Sequence, residues 1–210
     1  MEANAQPAET GPELSEDLSR TAALTDGVIA IAITLLVLDI AVPEIPDALV
    51  GEELGSALWE LRPQVFGFIL SFVVIGYYWM THRLIFSNLR TIDVPLMAIN
   101  LFFLLMIAFM PFAAALFADY VPDSLAVACY AGIMAIAGFS QLLMVVYPGK
   151  KGHFHATVEP SHVRLVTKKI AVAPVIYLLM VPVAFVNGWL ALGLLVLIPI
   201  GRAIISRRNG

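Results

Sequence analysis

Cysteine is nearly absent from this chain. Cys129 stands alone inside an apolar run, so no internal disulfide can form and no redox compartment can be read from it. Charge is scarce too: 13% of the 210 residues are charged, against about 25% in soluble domains. No basic stripe runs beside an aromatic one, which argues against nucleic acid as a partner. The first 19 residues, "MEANAQPAETGPELSEDLS", lack both the basic n-region and the apolar core of a signal peptide. There is no serine nucleophile with a base, no glycine-rich phosphate loop and no paired intramembrane carboxylate, so the sequence does not read as an enzyme. Nothing in it requires a cofactor or a resident metal. No alternating strand pattern competes either, and lipid permits only helices or closed barrels.

What is abundant is apolar side chain, at 60% of the residues, with a mean hydropathy of +0.88. Both values predict an all-α integral membrane protein. A span needs about 20 apolar residues, and six stretches qualify: 21–41, 63–82, 94–117, 124–147, 165–186 and 188–206. Asn187–Gly188 leaves so short a link that the last two form a tight hairpin. Residues 1–19 read as an acidic, disordered tail that turns helical near "SEDLSR". Residues 20–206 read as the membrane domain, and 207–210 as a basic C-terminus that anchors the last helix. In this arrangement eleven of the twelve basic residues fall on one side, with only Arg62 on the other. The positive-inside rule then predicts a multi-pass protein of the cell membrane with both termini cytoplasmic. Aromatics near the predicted span ends, among them Trp59, Trp79, Tyr147 and Trp189, fit an interfacial belt.

Polar residues inside the spans need a reason, because an ionised group in hydrocarbon is costly. Asp26 lies about 9 Å in from Arg20, at 1.5 Å per residue. With alternating helix directions, Arg20, Asp26, His82 and Asn100 all fall in the cytoplasmic third. Two readings stand: separate boundary residues that snorkel to water, or one linked layer that orients the first helix. On that helix Leu24, Gly27/Val28, Ile31, Thr34/Leu35 and Leu38 form one stripe, and Asp26 lies on another face. Taken alone, the stripe reads as a helix–helix packing seam.

The segment "RTAALTDGVIAIAITLLVLDI" resembles the first helix of the transmembrane protein 175 potassium channels. Their signature is Arg, three residues, then Phe-Ser-Asp. Here Arg20 is followed by "TAA" and Leu24-Thr25-Asp26. "SFVVIGYYWMTHRLIF" (71–86) is similar to their second helix, with Trp79 three residues before His82. "NLFFLLMIAFMPF" (100–112) is similar to the third, with Asn100 at its start. The resemblance covers residues 18–117; the later spans match in number and hydropathy.

The resemblance implies six helices per subunit and a homotetramer with helix 1 lining a central pore. It implies potassium as the permeant ion, with no carbonyl filter; no Thr-Val-Gly-Tyr-Gly occurs here. Carried over from Asp26, Ile31 is the narrowest ring, Thr34 a hydroxyl layer and Leu38 a second apolar ring. Arg20, Thr25, Asp26, Trp79, His82 and Asn100 are the hydrogen-bonded network behind the pore helix. Leu24-Thr25 in place of Phe-Ser keeps the hydroxyl but drops an aromatic ring at the cytoplasmic mouth. The implied partners are other copies of the chain, the bilayer and potassium ions. A proton-conducting pore or a secondary cation transporter is the alternative, and a non-conducting scaffold a third reading. A transporter predicts inverted repeats or broken helices with midmembrane charge, and neither is clear in the sequence. His153, His155 and His162 share a basic loop, where a solvated loop is the plain reading and a metal site or pH sensor the sharper ones. In the fourth span, Ala128/Gly132 and Ala131/Ala135 have the spacing of close helix contacts.

Overall fold

The computed structural model describes residues 12–208, and it is helical almost throughout. Helix α1 spans Pro12–Leu35 and tightens into a 3₁₀ turn at Leu36–Asp39. A 3₁₀ turn at Asp47–Leu49 leads into α2 (Val50–Glu60), and α3 covers Arg62–Phe86. Then come α4 (Val94–Ala108), α5 (Met110–Tyr120), α6 (Ser124–Lys151) and α7 (Pro160–Ala184). The chain ends in α8 (Gly188–Gly193), a 3₁₀ turn at Leu194–Val196, and α9 (Leu197–Arg208). Among the described residues, six segments are long and apolar enough to cross a membrane: Glu16–Asp39, Arg62–Phe86, Val94–Tyr120, Ser124–Lys151, Pro160–Ala184 and Gly188–Arg207. The protein is an all-α, multi-pass membrane protein with six such segments.

Local chemistry explains where the helices start and break. Asp93 opens α4 by accepting from Leu96 N–H at 3.1 Å. Asp123 opens α6 through Leu125 and Ala126 N–H, and Asn187 opens α8 through Leu190 N–H. Such caps satisfy donors that have no partner within the helix. Gly152 ends α6 at φ 73°, a left-handed conformation that glycine adopts without a Cβ penalty.

The third and sixth spans, read from sequence as continuous helices, are interrupted. Pro111 and Pro199 follow the two breaks, and each ring crowds the carbonyl four residues earlier. Two other boundaries differ from the sequence reading. The first helix begins at Pro12, so 12–19 belong to it; the expected tail at 1–11 lies outside the described residues, as do 209–210. Helix α2 was not anticipated. It carries Glu52, Glu53 and Glu60 beside exposed Leu54, Leu58 and Trp59, so Trp59, three residues before the span that opens at Arg62, sits on a separate amphipathic helix.

Helix α6 occupies the centre, with Tyr130, Ala131, Met134, Ala137 and Met144 almost fully buried. Ala131 and Ala135 are packed as their spacing suggests, but a Cβ on Gly132 would meet nothing within 4 Å. The close approach is at Gly138, where a Cβ would meet the Pro174 ring at 2.8 Å and the Tyr78 hydroxyl at 3.1 Å. Around this core the first span and the last are the least covered within the chain.

Candidate ion pathway and polar layer

Helix α1 meets α3 and α4 through one face. Thr25, Ile29, Ala32 and Leu36, spaced four, three and four residues apart, are almost fully buried. That row is the packing seam within the chain. The Ile31–Thr34–Leu38 stripe is therefore not the seam; it points away from α3 and α4. Ile31 is 60% exposed and Leu38 73%. The helix tightens after Leu35, so Leu38 is carried on a 3₁₀ turn and not on a straight α-helix. Thr34 lies between them, also exposed. Its Oγ1 donates back to the carbonyls of Ile31 at 2.9 Å and Ala30 at 3.1 Å. With the proton held inward, the oxygen lone pairs are left free to accept.

Behind α1 the polar residues form two groups. In the first, His82 Nε2 lies 2.9 Å from Asn100 Oδ1. Asn100 Nδ2 donates to Thr25 Oγ1 at 3.0 Å, and Thr25 donates to Thr21 O at 3.0 Å. The directions fit only if the His82 Nε2 carries a proton, because an amide oxygen can only accept. The imidazole is also stacked on Phe86, centroids 4.0 Å apart, and lies 5.9 Å from Phe103. Asn100 and Thr25 are fully buried and His82 is 2% exposed. In the second group, Trp79 Nε1 donates to Asp26 Oδ1 at 2.8 Å.

Five of the six anticipated network residues thus bridge α1, α3 and α4 through side-chain hydrogen bonds. Arg20 does not join them. It is exposed and pairs with Glu16 on its own helix at 4.0 Å, and among the described residues it forms no ion pair with Asp26. Arg20 is exposed, and the other five residues form two separate hydrogen-bonded groups, not one continuous layer.

Sequence reasoning missed other buried polar groups. Gln141 Nε2 donates to Tyr78 O at 2.6 Å, and the Tyr78 hydroxyl to Met134 O at 2.6 Å. Ser71 pairs with the Tyr130 hydroxyl at 3.3 Å. A glutamine inside "FSQLLMV" is the signal that could have found this midmembrane set. At the end of the bundle that carries most of the basic residues, the Tyr147 hydroxyl donates to Asp93 Oδ2 at 2.6 Å, with His153 Nε2 3.9 Å away. Partial burial pushes the Asp93 carboxyl up. The bonds from Tyr147 and Leu96 N–H, with His153 close by, outweigh that and hold it below the ordinary carboxylate value. The histidine loop is docked and not simply solvated. His153 O accepts from Arg90 and Thr91 N–H, and His155 N–H donates to Asn88 O. Among the described residues, no three His, Cys, Asp or Glu side chains gather as a metal site.

Residues 20–111, which carry both polar groups and the exposed stripe, match the profile of a family described as endosomal/lysosomal potassium channel TMEM175. The chain is 34% identical over 201 residues to a potassium channel of Chamaesiphon minutus, covering 93% of this chain and 97% of that one. It is 35% identical over 178 residues to a potassium channel of Streptomyces collinus, covering 82% and 85%. The chain belongs to the TMEM175 family. The crystal structure of a lysosomal potassium-selective channel TMEM175 homolog from Chamaesiphon minutus superposes with a TM-score of 0.75 at 29% identity, over 93% of this chain and 99% of that one. A TMEM175 protein of Bos taurus, described as an endosomal/lysosomal proton channel, is 35% identical over 108 residues, only 22% of its length. For this TMEM175-family chain the prokaryotic relatives therefore extend the likeness past α5, through spans whose sequences carry no motif of their own.

Proposed function

We propose that the chain is one subunit of a homotetrameric potassium channel of the cell membrane, with both termini cytoplasmic. Four copies of α1 line the pore. Ile31 makes the constriction, Thr34 a hydroxyl layer and Leu38 a second apolar ring. The observation that carries this reading is the two-faced character of α1. Its buried row is spent on α3 and α4, while Ile31, Thr34 and Leu38 have no cover within the subunit. A ring of isoleucines offers an ion neither donor nor acceptor, so passage depends on radius and wetting. The inward-donating Thr34 hydroxyls present oxygen lone pairs to a cation and can replace part of its water. The names of the prokaryotic relatives support potassium as that cation.

A proton-conducting pore is the second reading, favoured by the description of the Bos taurus relative. The buried His82–Asn100–Thr25 chain lies behind α1 and not along its exposed stripe, which counts against it as a proton route here. The break at Phe109 is flanked by the buried apolar residues Ile107, Met110 and Ala113, which lends a transporter no support. The test is ion flux into liposomes under separate K⁺, Na⁺ and H⁺ gradients, for the wild type and Ile31→Asn. Wild-type flux should favour K⁺, and Ile31→Asn should wet the constriction and lower the K⁺/Na⁺ ratio. An unaltered ratio in that variant would overturn Ile31 as the constriction.

A further inference from the structure

A cleft of about 200 Å³ opens between α3, α7 and α9, away from the α1 stripe. Its walls are apolar and aromatic, including Val73, Tyr77, Tyr177, Leu195 and Ile198, and Arg202 is the one charged residue that lines it. The Arg202 guanidinium lies 3.7 Å from the centroid of the Tyr77 ring. Its Nε is buried and has no hydrogen-bond partner. Among the described residues no carboxylate pairs with it. One turn further along α9, Ser206 accepts from Lys169 Nζ of α7 at 3.4 Å, which brings a second cation to that part of α9. Residues four apart on a helix are neighbours.

Depth and chemistry agree on an occupant. Arg202 lies five residues short of the end of the last span, about 8 Å at 1.5 Å per residue. A guanidinium at that depth is costly without an anion, and stacking on one tyrosine offsets only part of the cost. The planar fork suits phosphate, and the cleft beneath it suits an acyl chain. We infer that this cleft binds an anionic phospholipid from the leaflet at the basic end of the bundle, its phosphate on Arg202 and Lys169 and one chain against Tyr77, Tyr177 and Ile198. The lipid ties the thinly packed last span to α3 and α7.

Native mass spectrometry of the full chain in detergent, titrated with phosphatidylglycerol, phosphatidylcholine or oleate, tests this. The wild type should retain phosphatidylglycerol in preference to the other two. Arg202→Gln should lower that retention at least about fivefold, the effect of roughly one interfacial charge. Arg164→Gln, which removes a positive charge elsewhere, should leave it within about twofold. Ile198→Trp fills the cleft and keeps the charge; it should lower retention as well, and it carries the test if Arg202→Gln fails to elute as the wild-type oligomer. Equal losses in Arg202→Gln and Arg164→Gln would overturn the site as mere charge attraction. Preferential retention of oleate would overturn the phospholipid. Retention of no lipid by the wild type, as when a second copy covers the cleft, would overturn the inference altogether.

Discussion

Asn100 joins His82 to Thr25, and its removal is the sharpest test of whether these buried residues act as one unit. Asn100→Leu keeps the number and branching of side-chain heavy atoms, so the loss is chiefly polar and not a cavity. It strands the His82 Nε2 proton in a site where the ring is 2% exposed. A buried donor without an acceptor costs about 1–3 kcal/mol. Interhelical hydrogen bonds in membranes are worth less, about 0.6 kcal/mol on average and up to about 1.7, because the unfolded helices also find partners. His82→Phe keeps the ring between Phe86 and Phe103 and removes the donor. In the double variant neither partner is stranded. The double variant should therefore be more stable than the sum of the single losses by about 0.6–1.7 kcal/mol. Thermal melting followed by size-exclusion chromatography reads this, at about 2–4 °C per kcal/mol for a chain of this size. Additivity within about 0.5 kcal/mol would mean that the two residues act independently, and the single unit would be refuted.

Gly138→Val should destabilise the subunit by about 1–3 kcal/mol through overpacking, since even a Cβ would meet the Pro174 ring at 2.8 Å. Gly132→Ala, where a Cβ meets nothing within 4 Å, should instead stabilise α6 by up to about 1 kcal/mol; parallel melts of the two variants compare them. Asp93 is held below its ordinary value of 3.8, so its contribution to stability is present above that pH and is lost as the pH falls through the lowered value. Melts across acid pH should show a drop in the wild type that Asp93→Asn lacks; identical profiles would disprove it. Asp26 uses Oδ1 for Trp79, an acceptor that asparagine can also offer. Asp26→Ala removes that acceptor and should lower the fraction of assembled oligomer on size exclusion, whereas Asp26→Asn should keep it; full assembly of Asp26→Ala would show that the Trp79 bond is dispensable.

The six spans were legible because lipid imposes one strong requirement on long segments, and length with hydropathy reports it. The breaks at Phe109 and after Gly193 were less legible. Pro111 and Pro199 were visible, yet proline inside a span often leaves the helix whole, as Pro148, Pro174 and Pro182 do here. Helix α2 escaped because its eleven residues are too short and too acidic for a span search. The depth argument brought Asp26, His82 and Asn100 to one level, but depth says nothing of azimuth. It could not show that Asn100 reaches Thr25 while Asp26 reaches Trp79, nor that Arg20 turns to Glu16. Gly138 passed unnoticed for a similar reason: close approach depends on which helix lies opposite, and a single sequence does not name the neighbour.

The placement of polarity on α1 has a physical logic. In the proposed channel, α1 gains nothing from its exposed apolar stripe in adhesion to its own subunit, because lipid satisfies the same side chains equally well. Its position must then come from the other side, and packing alone is a weak director between helices in a membrane. Hydrogen bonds supply direction, since a misrotated α1 would leave Thr25, Asn100 and His82 unsatisfied away from water. The bonds sit near one end, so the rest of α1 is guided by Ile29, Ala32 and Leu36 alone. That division predicts a helix whose basic end is fixed in rotation and whose far end, already wound into a 3₁₀ turn at Leu36–Asp39, is the freer part. Spin labels at Leu24 and Leu38 would compare the two ends directly. Equal mobility at both would mean that packing, and not the polar layer, sets the orientation of α1.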